Sequence, residues 1–286
     1  MKKISETGTY SKTVKTIVFF VLLVVVIVWI TPIVWGILCS FKAETEIKAG
    51  GFSFIPKVWT VENYTYVLNN TDNTPIIRWF ANSFIMAGIS AALAVVLVAL
   101  TAYGYSRLKY KHKDRLFMII MAFSLFPTII NIVPLYQVVS MFGWVNEMAS
   151  IIVPTLGNVT YVFLVRQFSL AIPRDFDEAA LIDGANEFQN FLFVILPMLK
   201  PVLTVVFLFT FTGVWNDFLW PSIVINDVEK LPLTSGLKLL QGAYGSFHLG
   251  PILASACLSM IPTFVLYIFS QKYFLQSMSL SSGIKA

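Results

Sequence analysis

Few side chains in this sequence are equipped to make or break bonds. It holds two histidines, His112 and His248, and two cysteines, Cys39 and Cys257. Each histidine falls in a polar connection, and the two lie on opposite sides of the layout derived below, so no nucleophile–base pair is suggested. Both cysteines sit inside apolar runs, which suits neither a disulfide framework nor a metal site. No glycine-rich loop ending in Lys-Ser or Lys-Thr is present to cradle a phosphate. The expectation is a chain with no catalytic residue, no metal and no nucleotide of its own. Recognition chemistry is left, in two places. From Asp175 to Pro201, carboxylates alternate with small and apolar residues, and Ala179, Ala180 and Gly184 beside an acidic edge let another protein approach closely. Elsewhere Asn131, Asn158, Asn216 and Asp217 fall in or at the ends of apolar runs. Polar groups there are costly unless they face protein or water, which makes them candidates to line a path. With the faces of Trp215 and Trp220 they would suit a neutral sugar. The competing reading makes the tryptophans interfacial anchors and the asparagines glue between helices.

The elements that must position these residues are apolar. The chain is 57% hydrophobic and 12% charged, with a mean hydropathy of +0.77. A soluble domain carries about 25% charged residues. Six runs are long enough to span a bilayer, at about 17–40, 80–103, 116–139, 150–168, 202–225 and 251–274. The first is too long for a signal-peptide core and lacks a small-residue cleavage site, so it is expected to be retained. With the N-terminus inside, 14 of the 20 Lys and Arg fall on the inner side, including the cluster Arg107, Lys109, Lys111, Lys113 and Arg115. That asymmetry supports six spans with both termini cytoplasmic. The net charge of +5 is thus a topological feature and not a nucleic-acid footprint. The basic loop at 106–115 is expected to anchor to anionic lipid headgroups. The division is a tail at 1–15, a membrane domain at 16–275 with its main inner loop at 171–201, and a tail at 276–286.

That inner loop reads locally as two short helices. Pro173 ends the span before it. Asp175 is placed to cap the first helix, with Glu178 as capping-box partner. Gly184 is placed to end it in the left-handed region. Asn186 would cap a second helix over Glu187–Leu196, which Pro197 and Pro201 would then break.

The spacing of Glu178-Ala179-Ala180, Asp183-Gly184-Ala185 and Val194-Ile195-Leu196-Pro197 resembles the EAA loop of ABC-importer permeases. Further wording narrows the resemblance to one permease subunit of maltose-type carbohydrate importers. It comprises residues 53–68, Phe126-Pro127 with Pro134-Leu135-Tyr136, Trp215-Asn216-Asp217-Phe218, and the tail Ser281–Ala286, where Ser282 and Ala286 depart from the common ending. The resemblance covers the chain from about the first span to the last residue. It implies an all-α polytopic membrane protein of the type I ABC importer permease fold, six transmembrane helices in a bacterial cell membrane. It also implies that Glu178 to Ala185, with Leu196 and Pro197, form a coupling element seated in an ATPase subunit. The tail, with Gly283 and Lys285, would lie against the ATPase dimer. ATP and Mg would be held by that partner. The remaining partners implied are a second homologous permease, an extracytoplasmic sugar-binding protein delivered to the outer loops around Asp227–Gly250, and lipid. Importers of glycerol phosphate or polyamine are alternatives, disfavoured because no basic residue falls near mid-depth. An ion-coupled secondary transporter has thin support, since Asp217 is the one acidic residue inside an expected span.

Overall fold

In hydrocarbon every backbone N–H and C=O must pair within the protein, so a chain this apolar has helices as its open form. The structure, a computed structural model, describes residues 12–49, 53–69, 74–242 and 248–281, with side chains except those of 241–242 and 272–281. Among the described residues every regular element is a helix, apart from one isolated antiparallel bridge between Lys42 and Trp59. Five helices among the described residues are long and apolar enough to cross a membrane, and a sixth crossing is available if one bent pair counts as a span. The chain divides into two units.

The first unit comprises the chain up to Asn69 together with 246–258. Helix α1 (Lys12–Ser40) is apolar all round and buries only Cys39 and Ser40, as a lipid-facing helix does. The connection after it is more ordered than its composition suggests. Two short helices, α2 (Glu44–Lys48) and α3 (Glu62–Asn69), lie in it. The buried Lys42 donates to the Ser53 carbonyl at 2.5 Å, and the Asn63 amide donates to the carbonyls of Ser40 and Lys42, each at 2.8 Å. The Glu44 carboxylate accepts from the backbone N–H groups of Leu249 (3.2 Å) and Gly250 (2.9 Å), where those orphan donors and the helix dipole favour an anion.

The second unit comprises 70–245 and 259–286. Its axis is α4 (Ile76–Ser106). One stripe of α4 is buried at helical spacing: Trp79, Ser83, Met86, Ser90, Ala94, Val98 and Ala102. Leu93, Val96, Leu97 and Leu100 on the other face are exposed. The expected third span is broken: α5 (Lys113–Ser124) and the run Thr128–Met141, which includes α6 (Ile132–Met141), meet at 86°. Pro127 sits at that corner, without an N–H to continue the ladder. The fourth span divides at Leu156–Asn158 into α7 (Ala149–Thr155) and α8 (Val159–Ala171). Helix α9 (Asp175–Ile182) follows, then α10 (Glu187–Gln189), a π-helical turn over Asn190–Ile195, and α11 (Leu196–Asn216).

Two expectations are corrected in this stretch. Pro197 and Pro201 do not break it, and the fifth span is not 202–225: Glu187–Asn216 is one continuous apolar helical run. Pro197 lies in the first turn of α11, immediately after the widened π turn, where the i→i−4 ladder is already interrupted and a missing N–H costs little. After Asp217 the chain continues as α12 (Leu219–Val224), α13 (Leu233–Gly242) and α14 (Leu249–Ser281). The glycine-bearing segment 227–250 is not simply a flexible loop either. Gly236 lies in α13 against Trp79, where a Cβ would stand 2.3 Å from the indole ring. Gly245 lies outside the described residues.

Candidate functional site

The loop after α8 is built from local rules. Helix α9 starts at Asp175 with Arg174 as its N-cap, and no side chain caps it. The expected Asp175–Glu178 capping box is absent because both residues lie inside the first turn. There, with Asp177, they meet the positive end of the helix dipole. The C-terminus of α9 matches the expectation in full. Gly184 has φ 83°. Its N–H donates to the Leu181 carbonyl at 3.1 Å, and the Ala185 N–H donates to the Ala180 carbonyl at 2.9 Å. These are the two bonds of a Schellman motif, whose left-handed position favours glycine. Asn186 then caps α10 reciprocally with Gln189, at 2.9 Å in each direction.

The loop presents a mixed surface. Ala180 faces inward, while Glu178, Ala179, Asp183, Gly184 and Pro197 are exposed and Ala185 and Leu196 half-buried. Large apolar side chains lie among them: Ile182 is 85% exposed, Phe188 65% and Leu181 53%. Sequence reasoning did not single these out, although apolar residues beside a run of carboxylates were the available signal. Contiguous exposed apolar groups of this kind mark a surface meant to be covered.

Beneath that surface lies a polar cluster absent from the sequence reading. Arg107, at the end of α4, is 7% exposed. Its guanidinium pairs with Asp177 at 2.5 Å and donates to the carbonyls of Ser169 (2.5 Å) and Ile172 (2.9 Å). Asn190, the first residue of the π turn, donates to Asp177 at 2.8 Å and to the Tyr103 hydroxyl at 3.4 Å. The Tyr103 hydroxyl in turn donates to the Glu187 carboxylate at 2.9 Å. Apolar residues of α4, α8, the π turn and α11 pack together in one cluster that includes Val98, Ala102, Val165, Phe191, Ile195 and Leu199.

A second feature is a cavity of about 680 Å³ within the second unit. It brings together Asn131, Asn158 and Asp217, from the turn before α6, the start of α8 and the end of α11, with Thr128, Thr160, Phe126, Tyr161 and Phe209. Asp217 is the one charged residue in its lining. The Asn158 side-chain oxygen accepts from the Thr160 N–H at 3.1 Å and so caps α8. One Asp217 oxygen accepts from the N–H groups of Leu219 (3.1 Å) and Trp220 (3.4 Å), at the start of α12. Asn216 is exposed outside this lining and donates to the Thr212 carbonyl at 2.9 Å. Trp215 is 1% exposed, lies between Phe80 and Phe211, and donates to the Ser259 carbonyl at 3.0 Å. Trp220 is also buried and donates to the Ser150 carbonyl at 2.8 Å. Both indoles are engaged inside the protein, and neither lines the cavity. Gly283 and Lys285 lie outside the described residues.

Known proteins resemble the chain along nearly all of this architecture. The family described as "Binding-protein-dependent transport system inner membrane component" matches residues 7–279. The arabinooligosaccharides transport system permease protein of Bacillus subtilis is 26% identical over 91% of this chain and 92% of its own length. The diacetylchitobiose uptake system permease protein of Streptomyces coelicolor is 31% identical over 88% of this chain and 83% of its own. A chain in the crystal structure of a bacterial ABC transporter involved in the import of the acidic polysaccharide alginate superposes with a TM-score of 0.82 at 22% identity, covering 94% of this chain and all of that one.

Proposed function

The chain belongs to the family of binding-protein-dependent transport system inner membrane components, and from that premise we propose that it is the permease subunit of an ATP-driven importer of a sugar or oligosaccharide. The carrying observation is the loop at 175–201: a Schellman-ended helix whose Glu178, Ala179 and Gly184 are exposed beside Ile182 and Leu181. It is shaped to seat in another protein. The exposed Lys109, Lys111 and Arg174 lie just past the end of α4 and at the start of α9, beside that loop, which supports placing it in the cytoplasm where ATP is. The partner there is a dimer of ATPase subunits holding ATP and Mg, and both chain termini face the same side. A second homologous permease completes the path, and an extracytoplasmic binding protein delivers the solute. When the ATPase closes, the loop would be displaced and the spans rocked between inward and outward openings, a rigid-body change.

A sugar fits the chemistry of the cavity. Asn131, Asn158, Thr128 and Thr160 offer neutral hydrogen-bonding groups beside Phe126 and Tyr161, and relatives carry arabino-oligosaccharides and diacetylchitobiose by name. Glycerol phosphate fits poorly, because no Lys or Arg lines this cavity. The test is to purify the complex, add the binding protein with a panel of neutral oligosaccharides, uronates, glycerol phosphate and polyamines, and read stimulated ATP hydrolysis. Stimulation by a neutral oligosaccharide is expected. Stimulation by glycerol phosphate or a polyamine alone would overturn the substrate class.

A further inference from the structure

The buried Arg107 has no part in a purely topological account of the basic residues, which needs its charge in water and not inside the protein. Four hydrogen bonds meet on its fork: to Asp177 of α9, to the carbonyls of Ser169 and Ile172 at the end of α8, and to the Ser169 hydroxyl at 3.4 Å. Ser106, the residue before it, meets the Ser169 hydroxyl at 2.8 Å. Asp177 is held from its other oxygen by Asn190, and Tyr103, one helical turn before Arg107, holds Glu187. The end of α4 is therefore bridged to the end of α8, to α9 and to the start of the π turn. A guanidinium that is 4% exposed in its side chain cannot exchange these partners for water as the loop swings.

We infer that Arg107 is the positioning residue that locks the 175–190 loop to the ends of α4 and α8, so that force applied to the exposed face of α9 moves those spans and is not absorbed at Pro173 or Gly184. This rests on the coupling role proposed above and adds the element through which it acts. At Gly184 a Cβ would meet no atom within 4 Å, so no side-chain packing holds that link beyond its own backbone bonds. A planar fork with several fixed donors is also what a point charge cannot imitate.

The test uses the complete complex in proteoliposomes with its binding protein. Arg107→Met with Asp177→Leu removes both charges together, so neither is left buried and unpaired. Tyr103→Phe is the milder second variant, since it deletes one hydroxyl and keeps the ring against Phe191. The exposed face of α9 is untouched, so the ATPase is expected to co-purify as it does with the wild type. ATP hydrolysis is expected to persist, while solute imported per ATP falls about tenfold in the double variant, about twofold in Tyr103→Phe, and in Arg107→Lys by an amount between these. Nitroxides placed by Asp175→Cys and Leu100→Cys, both exposed positions, are expected to show a narrow distance distribution that broadens in the double variant. Unchanged solute per ATP, an unchanged distribution, or a loss confined to the amount of inserted protein would each overturn the inference. Failure of the wild-type chain to retain an ATPase would instead overturn the coupling role itself.

Discussion

Gly184 and Gly236 are both required to be glycine, for opposite reasons. At Gly184 there is free space but φ is 83°, so an ordinary side chain costs about 1 kcal/mol of backbone strain within the chain. Its larger effect would fall on a partner surface. Gly184→Val is expected to insert normally, lose the ATPase on co-purification and lose uptake; a variant that retained both would reject the coupling role. At Gly236 the backbone is ordinary, but a Cβ meets Trp79, whose indole N–H donates to the Val228 carbonyl at 2.6 Å. Gly236→Ala is expected to cost about 1–3 kcal/mol by overpacking, read as a lowered Tm of the purified permease. Asp217 calls for a substitution that separates charge from capping. Asp217→Asn keeps an oxygen for the Leu219 and Trp220 N–H groups while removing the charge. A fall in uptake with assembly intact is expected; unchanged uptake would leave Asp217 as a local acceptor for the Leu219 and Trp220 N–H groups.

At the scale of elements, the loop region combines strong local signals with one irregular device. The reciprocal cap at Asn186 starts α10, and the π turn follows within three residues. Asn190, its first residue, donates inward to Asp177 and Tyr103, and π turns recur at functional positions. Asn186→Ala is expected to cost about 1 kcal/mol. Hydrogen exchange of the 188–190 amides should then quicken about fivefold, with amides in the middle of α4 unchanged. Equal exchange before and after would mean that the π turn, and not the cap, holds this start. The bend at Pro127 and the break at Asn158 belong to the same scale: each opens a span where a polar residue faces the cavity.

At the scale of the whole molecule the decisive property is sidedness. Cations on the expected outer side are largely engaged within the protein: Arg78 pairs with Glu229 at 2.9 Å, Lys230 with Glu147 at 2.8 Å, and Lys42 is buried against Ser53. Those of the 106–115 loop include the exposed Lys109 and Lys111, which remain available to anionic headgroups. A reporter that works only in the cytoplasm is expected to be active when fused after Lys113 or after Gly184, and inactive after Asn69. Activity at Asn69 would reverse the orientation and with it the placement of the coupling loop.

The features legible from sequence alone are those enforced within a few residues or by the solvent. Hydrocarbon demands self-paired backbone, so long apolar runs had to be helices, and their number was readable to within the bent pair. Gly184 and Asn186 were readable because the end of one helix and the start of the next are steric and hydrogen-bonding problems solved locally. The spacing from Glu178 to Pro197 carried the family. Contacts between distant segments were not readable. Arg107 and Asp177 are 70 positions apart, and nothing near Arg107 distinguishes it from the solvated lysines beside it. Trp215 reads equally as pathway, belt or core until Phe80 and Ser259 are placed around it. Intrinsic propensity penalises Pro197 and Pro201 inside a helix and so predicts a break there. Only packing against α4 and α8, with a π turn where the ladder is already interrupted, shows why one helix runs through both.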